Sequence, residues 1–269
     1  IGQGFVGGSL TTVFSECDFN VYTYDKAGKA SVGSKNTFQF DDAYRPAKSV
    51  AELVKICAQV PGFTNIFFVC LPTPMFEDGE ADLSIVEGVL TELSACPGER
   101  IAVVKSTVPP GSTEYWNKKY ADTGLHVVFN PEFLTEANAL NDMRNQNRII
   151  LGGPRPWINE VKMVFQTAFP GVPLIKTSST TAEMVKYVTN CFLATKVSFA
   201  NEMAQICNAL DGNGFNVDYD KVVEYAKYDK RLGDSHWAVP GPVATHDGRY
   251  VKGFGGHCFP KDLNALRYI

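Results

Sequence analysis

Gly2-Gln3-Gly4-Phe5-Val6-Gly7 opens the chain and decides how the rest is read. The glycines stand at G-x-G-x-x-G spacing, directly before an apolar-periodic stretch over 6–16 that reads as a helix. A turn without side chains lets the backbone approach a pyrophosphate, and the helix N-terminus then stabilises the anion. The next apolar run, 21–24, is followed by Asp25, about 20 residues on, where a carboxylate accepts ribose hydroxyls. A carboxylate there also repels a 2′-phosphate, so NAD is expected rather than NADP.

Outward from this turn, short β-branched runs alternate with helical segments. Strands are predicted over 21–24, 66–70, 101–105, 126–129, 148–151 and 172–175. Helices are predicted over 6–16, 49–59, 84–95, 112–120 and 157–169. Such alternation predicts an α/β fold, a Rossmann-like, doubly wound parallel sheet covered on both faces. After Lys176 the pattern changes. Thr180-Thr181-Ala182-Glu183 has capping-box spacing. A helical pattern then continues to about Leu210, on the order of 45 Å at 1.5 Å per residue, until Asp211-Gly212-Asn213-Gly214 stops it. The expected organisation is a nucleotide-binding domain over 1–177 and a long-helix all-α domain over 178–269.

The 269 residues exceed one typical domain length, which agrees with two units. A composition 45% hydrophobic and 20% charged excludes a disordered or collagen-like chain. The formal net charge of −4 gives no electrostatic footprint for nucleic acid or a membrane surface. No run approaches the roughly 18 apolar residues of a membrane span. Seven cysteines, an odd number at scattered spacings without a C-x-x-C pair, argue against a disulfide framework or metal site and for a reducing cytoplasm. The chain starts inside what should be a first strand and ends inside a helical pattern, so it reads as a fragment.

Several motifs carry polar chemistry at predicted strand ends, the edge where open α/β sheets bind ligands. Leu71-Pro72-Thr73-Pro74 and Lys105-Ser106-Thr107-Val108-Pro109 each offer a hydroxyl, which spacing alone leaves open between ligand contact and turn cap. In Asn130-Pro131-Glu132-Phe133-Leu134-Thr135-Glu136, the two glutamates are four apart and would share a face if helical. Lys186 and Asn190 lie on one face of the long helix. The sharpest signal is Gly253-Phe254-Gly255-Gly256-His257-Cys258-Phe259-Pro260-Lys261-Asp262. Its glycines let the backbone bend around a bulky ligand. Lys261 and His257 are neighbours that favour a thiolate, and Asp262 can serve as a base.

With these motifs assembled in order, the chain resembles the UDP-glucose 6-dehydrogenase family along essentially its whole length. The resemblance implies NAD-dependent, four-electron oxidation of a nucleotide sugar at C6 to the uronic acid. Cys258 would be the nucleophile, passing through a thiohemiacetal and a thioester. Lys186 and Asn190 would stabilise the oxyanion, and Asp262, with Thr107 and a water, would handle protons and hydrolysis. Gly2, Gly4, Phe5, Val6, Gly7, Asp25, Thr73, Thr107, Glu136 and Lys261 would contact NAD. Glu132, which also joins the catalytic set, with Phe133, Leu134, Lys186, Asn190, Arg249, Tyr250 and Gly255, would bind the substrate UDP-glucose. No metal is implied. His257 departs from the usual Ser or Thr, and a GGHC sequence occurs in UDP-N-acetylhexosamine dehydrogenases, which otherwise lack the FPKD sequence.

The family also has a third, nucleotide-holding domain that this chain stops before. GDP-mannose or UDP-N-acetylhexosamine as substrate, and a two-electron β-hydroxyacid dehydrogenase needing no cysteine, are the alternative readings. Val185, Val188, Phe192, Val197, Phe199, Met203 and Ile206 spread around the long helix, so a homodimer through 180–210 is expected.

Overall fold

The computed structural model describes residues 1–29, 47–59, 65–241, 252–256 and 258–269. They form two compact units: Ile1–Phe76 with Ala81–Lys186, and Glu77–Glu80 with Tyr187–Ile269. In chain order the first unit holds helices α1 (Phe5–Glu16) and α2 (Val50–Cys57), strand β1 (Asn65–Val69), α3 (Ser84–Ser94), β2 (Arg100–Val104), α4 (Ser112–Lys119), β3 (Leu125–Phe129), α5 (Ala139–Arg144), β4 (Ile149–Gly152), α6 (Trp157–Ala168) and β5 (Leu174–Thr177). Helix α7 (Ser179–Gly212) begins in the first unit and continues in the second, which also carries α8 (Tyr219–Ala226) and α9 (Phe259–Tyr268).

Every residue of β2 is buried, because the pleat sends alternate side chains into two cores. Ala102 and Val104 pack with Val86, Leu90 and Leu93 of α3 and Trp116 of α4. Ile101 and Val103 pack on the other face with Leu10, Val13 and Phe14 of α1 and Val161 and Phe165 of α6. Each of the Val, Leu, Ile and Phe side chains among them stabilises the fold by roughly 1.5–3 kcal/mol when fully buried. Among the described residues the sheet runs β1-β2-β3-β4-β5.

Three expectations need correction. The sheet is parallel except at β3 and β4, which meet antiparallel through Phe129 and Gly152. The connection between them carries a 3₁₀ turn, Glu136–Asn138, and the six-residue α5, not a long crossover helix that returns the chain in parallel register. Residues 21–24 form no ladder strand. Tyr24 makes a single bridge to Ala47 and its carbonyl takes the Gly2 N–H, where Gly2, at φ +83°, turns the backbone out of any ladder. The capping box is also not formed. Ser178, ahead of α7, accepts the Thr181 N–H, while Glu183 turns away to another helix.

That other helix is α4. Buried Glu183 accepts the Gly111 N–H at 2.6 Å and the Thr113 N–H at 2.9 Å, capping the first turn of α4 from a distance of 70 residues. Helix α7 runs 34 residues, about 50 Å at 1.5 Å per residue. It ends as expected, with Gly214 at φ +86° and the Phe215 N–H bonded back to the Leu210 carbonyl. In the second unit Lys196 donates to the carbonyls of Leu232 and Gly233 and lies 4.8 Å from the Trp237 ring centroid, fixing the segment after α8 against α7.

Candidate active site

The glycine turn is interlocked backbone to backbone. A Cβ on Gly7 would stand 1.9 Å from the Gly2 carbonyl oxygen, and one on Gly2, at φ +83°, would stand 2.4 Å from the Cys70 carbonyl oxygen. Gly4 instead faces open space, Phe5 is exposed and Val6 half-buried. Asp25 is brought to this turn. One carboxylate oxygen accepts the Gln3 N–H and the other the Ala27 N–H, each at 2.8 Å. Partial burial opposes its ionisation, but these bonds, with the Lys29 N–H and charge, outweigh that and hold the carboxyl below its usual value. Shape and charge together fit a dinucleotide: open backbone at a helix start and an ionised acceptor beside it.

The two hydroxyl motifs meet each other. The buried Thr73 hydroxyl donates to the Thr107 carbonyl at 2.9 Å. Ser106, rather than Thr107, clamps the first loop by donating to the Leu71 carbonyl and accepting its N–H. Thr107 itself is half-buried.

Beyond β3, Glu132 lies in an irregular segment and Glu136 begins a separate turn of 3₁₀ helix, so the two share no helix face. Glu136 is exposed. Glu132 pairs with Lys105 at 2.8 Å, their side chains 15% and 3% exposed. Lys105 also donates to Asn130 at 2.6 Å, and Asn130 donates to the Ile150 carbonyl. Lys186 donates to the Glu132 backbone carbonyl. Glu132, Phe133 and Leu134, with Asp142 and Asn145 to Arg148, line a cavity of about 220 Å³.

In the second unit, Cys258 is exposed and stands at the N-cap of α9, with its carbonyl taking the Asp262 N–H. Asp262 is buried and both its oxygens are taken, one by the Asn190 amide and one by the Lys261 ammonium, each at 2.5 Å. Gly255 is exposed. Arg249, Tyr250 and His257 lie outside the described residues. Lys105, Asn130 and Ser106 entered the sequence reading only as letters of their motifs. A lysine ending the otherwise apolar run 101–104 was the signal that it needed a buried partner.

The fold and the glycine turn define a Rossmann-like nucleotide-binding protein. Residues 1–168 match the NAD binding domain, and residues 180–269 the central domain, of the UDP-glucose/GDP-mannose dehydrogenase family; the chain belongs to that family. The UDP-glucose 6-dehydrogenase TuaD of Bacillus subtilis is 33% identical over 294 residues, covering all of this chain and 58% of that protein. The UDP-glucose 6-dehydrogenase of Pseudomonas aeruginosa is 32% identical over 285 residues, covering 99% of this chain and 59% of the other. The solved structure of a UDP-glucose dehydrogenase from Pyrobaculum islandicum superposes with TM-score 0.72 at 29% identity, over 99% of this chain and 62% of that one. The chain therefore spans 58–62% of the length of these relatives.

Proposed function

We propose that the protein oxidises UDP-glucose at C6 to UDP-glucuronate, using NAD and a covalent step on Cys258. The observation that carries this reading is an exposed thiol at a helix start, one turn from a buried Asp262 held by Asn190 and Lys261. NAD, when bound on Gly2, Gly4, Phe5, Val6 and Gly7 with Asp25, Thr73, Thr107, Glu136 and Lys261 around it, supplies a two-electron acceptor.

Oxidation of the C6 alcohol gives an aldehyde, to which the Cys258 sulfur adds, forming a C–S bond and an oxyanion. Lys186 and Asn190, one turn apart on α7, donate to that oxygen. A second two-electron oxidation leaves the thioester. Water then adds at C6, the C–S bond breaks, and the thiol and the uronate are released, with Asp262 and Thr107 handling the water's protons. Trapping on sulfur keeps the aldehyde bound between the two oxidations. Glu132, Phe133 and Leu134 with Arg249, Tyr250 and Gly255 hold the nucleotide sugar.

In this reading 1–177 is the NAD-binding domain and 178–269 the central domain. Exposed Val188, Phe192, Phe199 and Ile206 on α7 form the face of a homodimer. All seven cysteines are free, which suits a reducing cytoplasm. Among the described residues no helix is long and apolar enough to cross a membrane.

Cys258→Ser tests the mechanism. In the full-length protein, UDP-glucose is expected to reduce two NAD per sugar and the Cys258→Ser variant to stall, whereas residues 1–269 alone are expected to turn over little. An unchanged rate in the variant would instead mark a simple two-electron alcohol dehydrogenase. Parallel assays with GDP-mannose decide the sugar.

A further inference from the structure

The Phe133 ring has two cations over it, both from the first unit. The Arg148 guanidinium carbon lies 4.1 Å from the ring centroid and the Lys186 ammonium 5.5 Å. Phe133 itself is half-buried in an irregular segment, its side chain packed at the edge of the core and its outer side left to the two cations. Its peptide is nonetheless tied at each end. The Phe133 N–H donates to the Glu132 side chain at 2.8 Å, and the carbonyl before it accepts the Lys186 ammonium. Lys186 therefore touches both the Phe133 ring and the carbonyl just before it, so a shift of the ring and its segment reaches Lys186 directly.

Arg148 is suited to holding that ring. It immediately precedes β4, whose residues are all buried, and Ile149 donates to the Pro173 carbonyl, so its backbone is rigid. A guanidinium is planar and weakly hydrated, and it lies flat on an aromatic face in a way an ammonium does not. Arg148 donates to Asn147 at 2.9 Å, and both line the cavity beside Phe133.

We infer that Arg148 is a positioning residue for Lys186, acting through the Phe133 ring and the Glu132–Phe133 peptide. That Lys186 in turn serves the oxidation rests on the reading given above; the packing claim does not. The experiment has one arm for each. In the first, the protein is pulsed with acetic anhydride and acetylation of Lys186 is followed by mass spectrometry. Arg148→Ala is expected to raise its rate about two- to fivefold, the factor equivalent to the roughly 0.5–1 kcal/mol of one exposed cation–π contact. Arg148→Lys is expected to restore it only in part. Arg148→Ala in a Phe133→Leu background is expected to add nothing, because the two act through one ring.

In the second arm, run on the full-length protein, steady-state oxidation of UDP-glucose is expected to lose roughly ten- to a hundredfold in kcat with KM nearly unchanged in Arg148→Ala, as for a misplaced catalytic group. Lys186 acetylation at the wild-type rate in both Arg148→Ala and Arg148→Lys overturns the inference. A wild-type protein that oxidises no nucleotide sugar overturns only the functional reading, and the labelling arm still decides the packing claim. Should Arg148→Ala fail to fold, Arg148→Lys and Phe133→Leu carry the same comparison.

Discussion

Glu183→Ala removes the acceptor of two backbone N–H groups at the start of α4, and its cost follows from the geometry. Both bonds, at 2.6 and 2.9 Å, go to a carboxylate on a residue with no exposed surface. A helix cap is worth about 1 kcal/mol, and each buried donor left unpaired costs about 1–3 kcal/mol. The expected loss is about 3 kcal/mol, and at roughly 2–4 °C per kcal/mol for a unit of this size the first unit should melt about 6–12 °C lower. Glu183→Gln keeps one acceptor oxygen and should lose about half as much. Burial, the largest influence, raises the Glu183 carboxyl above its usual value despite the bonds from Gly111 and Thr113. The folded state then holds the proton more tightly than the unfolded chain. This group's contribution to stability therefore grows as pH falls from above the folded pKa toward the ordinary value of 4.5. The gap between wild type and Glu183→Gln should widen over that interval. Calorimetric melts across pH check both statements. A Glu183→Ala protein melting with wild type refutes the cap, and a gap that closes on acidification refutes the raised pKa.

Gly7→Ala places a Cβ 1.9 Å from a backbone oxygen, so NAD affinity measured by fluorescence titration should fall more than about tenfold. Lys105→Met leaves Glu132 with its buried cation removed and should destabilise the first unit by about 3–5 kcal/mol in urea unfolding; adding Glu132→Gln should recover part of that. Asn190→Ala strips a 2.5 Å donor from buried Asp262, a loss of about 1.5–3 kcal/mol in the second unit's unfolding. Phe192→Lys with Phe199→Lys on the exposed side of α7 should shift sedimentation from dimer to monomer.

Much of the architecture was legible because its signals are local. The apolar run around 101–104 and the glycine spacing at 2–7 announce a buried strand and a nucleotide turn without reference to anything distant. Strand direction is not local, so the antiparallel entry of β4 left no trace in the letters. Glu183 shows the opposite failure: capping-box spacing pointed to its own helix, while the partner that won is 70 residues away. For the site, Cys258 stood out through its glycines and charged neighbours. Lys105 and Arg148 did not, since what matters about them is which ring or carboxylate the fold sets against them. The pairing of Asn190 with Asp262 likewise joins residues 72 apart.

Asp25 carries a constraint for anyone who would re-engineer the coenzyme preference. Its two oxygens are acceptors for the Gln3 and Ala27 amides as well as the negative charge facing that side of the turn. Swapping it for a small or basic residue to welcome a phosphorylated ribose would also undo the stitching between the loop after residue 24 and the opening glycines. Selectivity and loop integrity are thus coupled at one position. A successful redesign would have to supply substitute acceptors at the same time, with asparagine as the mildest first step because it keeps one oxygen in place.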